Sequence, residues 1–255
     1  MPQRTLPVRL TEVQMGQYQR DGFLVISDLL TAEEVKLFLQ HEDDPKTPAL
    51  RMGLRTHVSD PYWYRIANHP NVAGVARQIL GGQPRIVQTM YMAKQPAQPN
   101  QELGDAGISL HQDSHYLPNE PDTLMACWIA LNDTDPENGG LCISPGSHQS
   151  ALRETALNTN REHVSWENEY GMRSPDGREW NEKMYSFDVV GIREEDLVRL
   201  TISRGSGVFF SSRTVHGSYA NRSHSRPRLA FAVHYVKEGT WVFRTDVQDT
   251  TPVDL

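Results

Sequence analysis

His111-Gln112-Asp113, followed far downstream by Val215-His216-Gly217-Ser218 and then by Arg228 in a run of small and apolar residues, supplies two imidazoles, one carboxylate and one guanidinium. In an extended strand, residues i and i+2 project to the same face, so His111 and Asp113 can reach one metal from a single strand. His216, arriving from a distant strand, would complete a two-histidine, one-carboxylate face. Such a face leaves positions open on an octahedral metal and suits non-haem Fe(II), the open positions serving a cosubstrate and O2.

The His-x-Asp spacing alone says little, because the chain holds a decoy. His41-Glu42-Asp43 has the same spacing but ends an expected helix, with Thr31 as N-cap, Glu34 completing a capping box and apolar Val35, Leu37 and Phe38 following. Residues two apart diverge on a helix, so His41 and Asp43 are not read as ligands. Around His111 the pattern differs. Ser109, His111, Asp113 and His115 alternate with Leu110, Gln112, Ser114 and Tyr116 up to the breaker Pro118, which predicts a strand through the whole stretch. His115 shares that face and competes as a ligand, although one strand comfortably supplies only two donors to a facial site. The plainer alternative is a strand whose polar face meets water. His216 follows Gly207-Val208-Phe209-Phe210, read as a buried strand, and precedes Gly217, read as letting the chain turn beside the metal. Taken alone, a histidine in such a place is more often a hydrogen-bonded structural residue than a ligand.

Arg228 shifts the balance. From Arg228 to Tyr235 one face carries Arg228, Ala230, Ala232 and His234, and the other carries Leu229, Phe231, Val233 and Tyr235. The large apolar face packs on neighbouring elements, while the small one would leave a cavity inside a barrel with a guanidinium at its edge. The Arg fork donates two parallel hydrogen bonds to a carboxylate, which a dicarboxylic cosubstrate chelating a metal at its other end requires. Arg226 shares this face if the strand starts early, but Pro227 interrupts the pairing, so Arg228 is preferred.

The matching segments are Gln88-Thr89-Met90-Tyr91-Met92-Ala93-Lys94, His111-Gln112-Asp113-Ser114-His115-Tyr116, Ala126-Cys127-Trp128-Ile129-Ala130-Leu131, Asn138-Gly139-Gly140-Leu141 through Ser144-Pro145-Gly146-Ser147-His148, then His216-Gly217-Ser218 and Arg228. On these the chain resembles the phytanoyl-CoA dioxygenase family of Fe(II)/2-oxoglutarate oxygenases, most strongly over about 85–150 and 203–236. The resemblance implies that His111, Asp113 and His216 bind iron and that Arg228 grips the distal carboxylate of 2-oxoglutarate. It also implies that Met90 and Trp128 contact that cosubstrate, although a Met is an ordinary core filler and Trp128, alternating with Ala126 and Ala130, could be simple core. Pro145 to His148 is read as a structural turn and His148 as a non-ligand. Residues 149–198, polar and irregular with Trp166, Tyr170, Trp180 and Tyr185 among charges, match the family poorly. They are read as a lid insertion.

These readings predict a mainly β chain with flanking helices around a double-stranded β-helix, a cupin-like jelly roll. Expected helices cover Thr11 to Arg20, the stretch from Ala32, and Asn71 to Leu80 ended by Gly81-Gly82, with a strand over Phe23 to Ile26. One domain is expected over 1–255: a helical part over about 1–84, then the jelly-roll core over about 85–236. Net charge of −7 and the absence of a basic run argue against nucleic acid as a partner. Two cysteines, Cys127 and Cys142, make no disulfide framework, and no apolar run reaches membrane-spanning length. The N-terminus lacks a signal-peptide core and Pro252-Val253-Asp254-Leu255 is no peroxisomal address, so a cytoplasmic monomer or homodimer acting on a small molecule is expected.

The implied chemistry is oxidative decarboxylation of 2-oxoglutarate to succinate and CO2 with O2, coupled to hydroxylation of an unactivated C–H bond. Asp113 favours hydroxylation over halogenation, since halogenating relatives replace this carboxylate with a small residue. Desaturation, ring closure and epoxidation use the same ligands. Two other readings are a same-fold metal-dependent isomerase or hydrolase, which gives Arg228 no task, and an inactive jelly-roll binding module. The substrate is not legible in the sequence.

Overall fold

A computed structural model of the chain describes residues 7–44 and 53–255. Of the helical part expected over 1–84, residues 1–6 and 45–52 lie outside the described ones. Six antiparallel strands form the larger sheet, in the order Phe23–Ile26, Gly207–Ser211, Met125–Ala130, Arg228–Lys237, Pro84–Lys94 and Thr251–Pro252. Four form the smaller sheet, in the order Val198–Arg199, Leu141–Ile143, His216–Ser218 and Ile108–His111. The fold is a jelly roll with helices on one outer face. Strands from both flanks of 85–236 join the larger sheet, so its edges are drawn from outside the expected core.

Period-two alternation sorts the side chains. In Met125–Ala130 every residue is buried. Met125, Cys127 and Ile129 face the helices, whereas Ala126, Trp128 and Ala130 face the smaller sheet and meet Leu141 and Ile143 there. Arg228–Lys237 divides as its pattern predicts. Phe231, Val233 and Tyr235 pack under the helices, with the Phe231 ring 5.4 Å from those of both Phe38 and Trp63. Full burial of each such side chain contributes about 1.5–3 kcal/mol. The opposite face, Ala230 and Ala232, leaves room in the interior.

The helices begin and end where their caps dictate. Glu12–Asp21 starts at a Thr11/Gln14 capping box and stops at Gly22, whose φ of 80° is left-handed. Ala32–Asp43 has the Thr31/Glu34 box, and Pro70–Leu80 runs from Pro at its first turn to Gly81 in the left-handed region. Pro61–Ala67 was not foreseen; Asp60 caps it by accepting from the Tyr62 and Trp63 amides. Cys127 and Cys142 are free and buried in strands. Among the described residues no helix is long and apolar enough to cross a membrane.

Two expectations are corrected. The strand expected to run on toward Pro118 ends at His111, and Asp113–His115 forms a 3-10 turn. Residues 149–198 are not irregular: Thr155–Leu157 pairs with Phe187–Val189, and Glu167–Arg173 forms a hairpin with Glu179–Tyr185. The hairpin buries little beyond Met172 and Met184, too few apolar positions to show as alternation in a charged sequence.

Candidate active site

Strand pairing creates the site. His216 opens its strand directly opposite His111, and the two rings lie 4.3 Å apart. Gln112 remains extended (φ −119°, ψ 127°), so Asp113 projects to the same side as His111 although it already begins the turn. Gly217 sits inside the strand, not at a turn, and serves close approach: a Cβ there would lie 2.8 Å from the Ile108 carbonyl oxygen and 3.2 Å from Leu110. The glycine lets the His216 strand lie flush against the His111 strand.

One ligand atom from each of His111, Asp113 and His216 falls within 4.8 Å of the others. Asp113 Oδ1 is 3.5 Å from His111 Nε2 and 3.7 Å from His216 Nε2. The opposite ring nitrogens fix the tautomers, since His111 Nδ1 donates to the Ser109 carbonyl at 2.8 Å and His216 Nδ1 to the Thr214 carbonyl at 3.0 Å. Each Nε2 therefore presents a lone pair. Three lone-pair atoms converge at separations too long for hydrogen bonds, a repulsive cluster that a divalent cation would relieve. The donor set thus fits a metal. Burial, and then the nearby His111, pushes His216 down to about 4, which keeps it neutral near pH 7. Burial alone would raise the Asp113 carboxyl, but His216 and His234 hold it well below the usual carboxylate range.

The second Asp113 oxygen is also held. His234 Nε2 lies 3.2 Å from Asp113 Oδ2, and Gln88 Nε2 lies 3.3 Å from His234 Nδ1 across the paired strands. A carboxylate only accepts, so His234 donates through Nε2 and accepts from Gln88 through Nδ1. Oδ1 is left facing the His111 and His216 Nε2 atoms. The sequence placed His234 on the cavity face but gave it no task; its signal was its even spacing from Arg228.

Arg228 lines the same cavity as the triad, together with Met90 and Trp128. Its Nε donates to the Gly139 carbonyl at 3.2 Å and its Nη1 to the Met92 carbonyl at 3.0 Å, and among the described residues Nη2 has no hydrogen-bond partner. Burial lowers Arg228 to about 10, leaving it charged at neutral pH, and its guanidinium carbon is 5.9 Å from the Trp128 ring. Lys94, its partner across the strands, donates to Ser218 Oγ at 2.8 Å, which turns the Ser218 hydroxyl hydrogen toward other acceptors. Burial, and then the Arg228 charge, pushes Lys94 down to about 6. Ser218 lines the cavity two residues after His216, a position the sequence analysis left without a role.

The remaining histidines and arginines fall elsewhere. His115 turns away to the Arg153 carbonyl and packs on Phe187. His41 bonds Asp60 at 2.7 Å on its helix. His148 reaches the Gln19 carbonyl from a 3-10 turn that follows Gly146 in the left-handed region. Arg226 is bound to Asp135 and Glu137, away from the cavity.

Fold and site together define a jelly-roll protein with a two-histidine, one-carboxylate cluster and a buried arginine in one cavity. The phytanoyl-CoA dioxygenase (PhyH) family model matches residues 41–230, and the chain belongs to that family. An ectoine dioxygenase of Bordetella parapertussis is 27% identical over 250 residues, covering 91% of this chain and 77% of that protein. A phytanoyl-CoA dioxygenase domain-containing protein 1 of Rattus norvegicus is 28% identical over 209 residues, covering 81% and 64%. Among solved structures, the epimerase SnoN in complex with Fe3+, alpha ketoglutarate and nogalamycin RO superposes with a TM-score of 0.69 at 19% identity, covering 96% of this chain and 95% of that one. EctD from S. alaskensis with 2-oxoglutarate and 5-hydroxyectoine gives 0.64 at 20% identity, covering 89% and 76%. The carbocyclase SnoK from nogalamycin biosynthesis has the same fold.

Proposed function

We propose that this protein is an Fe(II)- and 2-oxoglutarate-dependent dioxygenase that hydroxylates an unactivated C–H bond of a small molecule. The observation that carries this is the convergence of three lone-pair donors from His111, Asp113 and His216 in the cavity that also holds the Nη2 group of Arg228. In this proposal residues 1–255 form one domain, with 149–198 as its lid. The chemistry of such a centre, when loaded, is oxidative decarboxylation of 2-oxoglutarate to succinate and CO2 coupled to attack on a C–H bond.

Each residue has a task in binding or positioning. His111, His216 and Asp113 Oδ1 hold the metal, and His234 keeps Asp113 from turning both oxygens toward it. Arg228 Nη2 and the Ser218 hydroxyl bind the far carboxylate of the cosubstrate, with Trp128 packed beside the guanidinium. Met90 fills the wall against the cosubstrate chain. An isomerase or hydrolase leaves this buried cation without a partner.

The test is an anaerobic titration of the full chain with Fe(II) and 2-oxoglutarate, followed by admission of O2. A visible absorption band that needs both components, then succinate release, is expected. Product mass separates outcomes: one added oxygen atom supports hydroxylation, while an unchanged mass or the loss of two hydrogens points to epimerisation or ring closure. No 2-oxoglutarate binding would overturn the proposal.

A further inference from the structure

The lid and the turn after Asp113 give the cavity a wall of rings and aliphatic side chains: Tyr116, Trp166 and Tyr170 with Leu54, Leu117 and Val164. Tyr116 lies 5.7 Å from the His111 ring and 5.4 Å from that of Trp166, so this surface begins beside the metal ligands.

The polar atoms on this wall are largely spent within the protein. The Tyr116 hydroxyl donates to the Tyr185 carbonyl at 3.1 Å and accepts from the Phe187 amide at 2.8 Å, and burial pushes its pKa up to about 12. What Tyr116 offers an occupant is its ring face. Ser109 Oγ donates to the Phe187 carbonyl and Ser186 Oγ accepts from the Trp166 amide. Arg244 is satisfied too: Nε and Nη2 bind Asp246 at 3.1 and 2.6 Å, Nη1 binds the Tyr116 carbonyl, and the guanidinium carbon sits 3.8 Å from the centre of the Tyr170 ring. The Trp166 indole N–H is an uncharged donor.

Gln88 keeps a buried acceptor. Asp113 forces His234 to donate through Nε2, His234 therefore accepts at Nδ1, and Gln88 must present its NH2 group there. The order of donors, read outward from Asp113, leaves Gln88 Oε1 buried with no hydrogen-bond partner among the described residues. Gln88 itself lines the cavity.

We propose that the substrate of this site is an uncharged, largely apolar ring compound bearing a hydroxyl or N–H, its ring against Tyr116 and Trp166 and its donor received by Gln88. The proposal rests on the oxygenase reading above. A charged group placed against this wall would lose its hydration and find its would-be partners already engaged, whereas a neutral ring loses little and replaces water at apolar surface. Gln88 is then a specificity-determining residue, set in its acceptor orientation by the same histidine that holds Asp113.

The test uses the full chain, loaded anaerobically with saturating Fe(II) and 2-oxoglutarate, and three probes of one ring system: 2-naphthol, 2-naphthoate and 2-naphthylmethylammonium at pH 7.5. Binding is read by tryptophan fluorescence and calorimetry. 2-Naphthol should bind at least about tenfold more tightly than either ion. It should also bind more tightly than 2-methoxynaphthalene, which lacks the donor, and Gln88→Leu should remove that second preference. Equal or tighter binding of the carboxylate or the ammonium would overturn the proposal in the unmodified protein, whatever the variant does. So would an undiminished naphthol preference in folded Gln88→Leu. Failure of 2-oxoglutarate to bind in the loading step would overturn the oxygenase reading and this proposal together, whereas a failed charge series overturns only the substrate class.

Discussion

The two walls of the cavity are made differently. The wall that carries the proposed metal and cosubstrate residues comes from paired strands of the jelly roll, where His216 faces His111, Arg228 faces Lys94 and His234 faces Gln88 in register. The other wall comes from residues 164–186 and the turn after Asp113; its hairpin buries Met172 and Met184 and is tied to the barrel by contacts that include Arg244 over Tyr170, the Arg173 amide on the Phe243 carbonyl, Thr245 with Gly171, and the Trp241 indole with the Arg173 carbonyl. Register fixes the chemistry because a slip of one residue would send every donor to the other face. The hairpin holds its own register, Glu167 opposite Tyr185 through Arg173 opposite Glu179, and contributes none of the His111, Asp113, His216 cluster. In the function proposed above, the reaction type resides in the barrel and the choice of substrate in residues 149–198 and the turn after Asp113.

Predictions follow this division, starting with the barrel wall. Asp113→Ala should weaken Fe(II) binding and reduce succinate release by at least about a hundredfold, in the presence or absence of substrate; full succinate release by that variant would remove Asp113 from the ligand set. Arg228→Gln should weaken 2-oxoglutarate binding by about 30-fold or more in calorimetry, because a buried charge partner is lost. Arg226→Gln, which disrupts only the bonds to Asp135 and Glu137, should leave that affinity within about twofold. Equal effects of the two variants would break the distinction between barrel interior and surface.

His234→Ala should lower Fe(II) affinity about 10–100-fold, and His234→Gln, which retains a donor, should recover part of it. Lys94 predicts a pH effect on stability. Its folded pKa of about 6 lies below the ordinary 10.5, so between these values the unfolded chain binds more protons and stability rises with pH. Below about 6 both states are protonated and the burial penalty is fully present. Urea unfolding should show a gain of about 1–3 kcal/mol between pH 6.5 and 9 that Lys94→Met flattens. The smallest effect belongs to the wall beside the hairpin: Trp166→Ala should weaken 2-naphthol about 2–10-fold while leaving 2-oxoglutarate affinity unchanged. A drop in cosubstrate affinity there would show that the two walls are not separable.

Much of the barrel was legible before folding. The capping boxes at Thr11 and Thr31 marked their helices, and the alternation from Arg228 to Tyr235 told which face was packed and which lined the cavity. His111, Asp113, His216 and Arg228 were named from residue type and spacing, and the structure brings them to one cavity. Residues 149–198 were read as irregular because their strands bury too little apolar surface to print a period. His234 was visible in the alternation, but a hydrogen-bond partner 121 positions away leaves no local mark. The lone-pair logic of the triad was equally hidden, since the tautomers depend on the carbonyls of Ser109 and Thr214.

Sequence alone therefore determined which side chains can ligate and which strand faces turn inward, since side-chain chemistry and two-residue periodicity are local properties. Tertiary structure decided that His111 ends its strand, that His234 holds the second Asp113 oxygen, that Gln88 keeps an unspent acceptor, and that Arg244 has no charge to spare. Each of these depends on which distant groups meet, and pairing between strands far apart in the chain is settled only when the whole barrel closes.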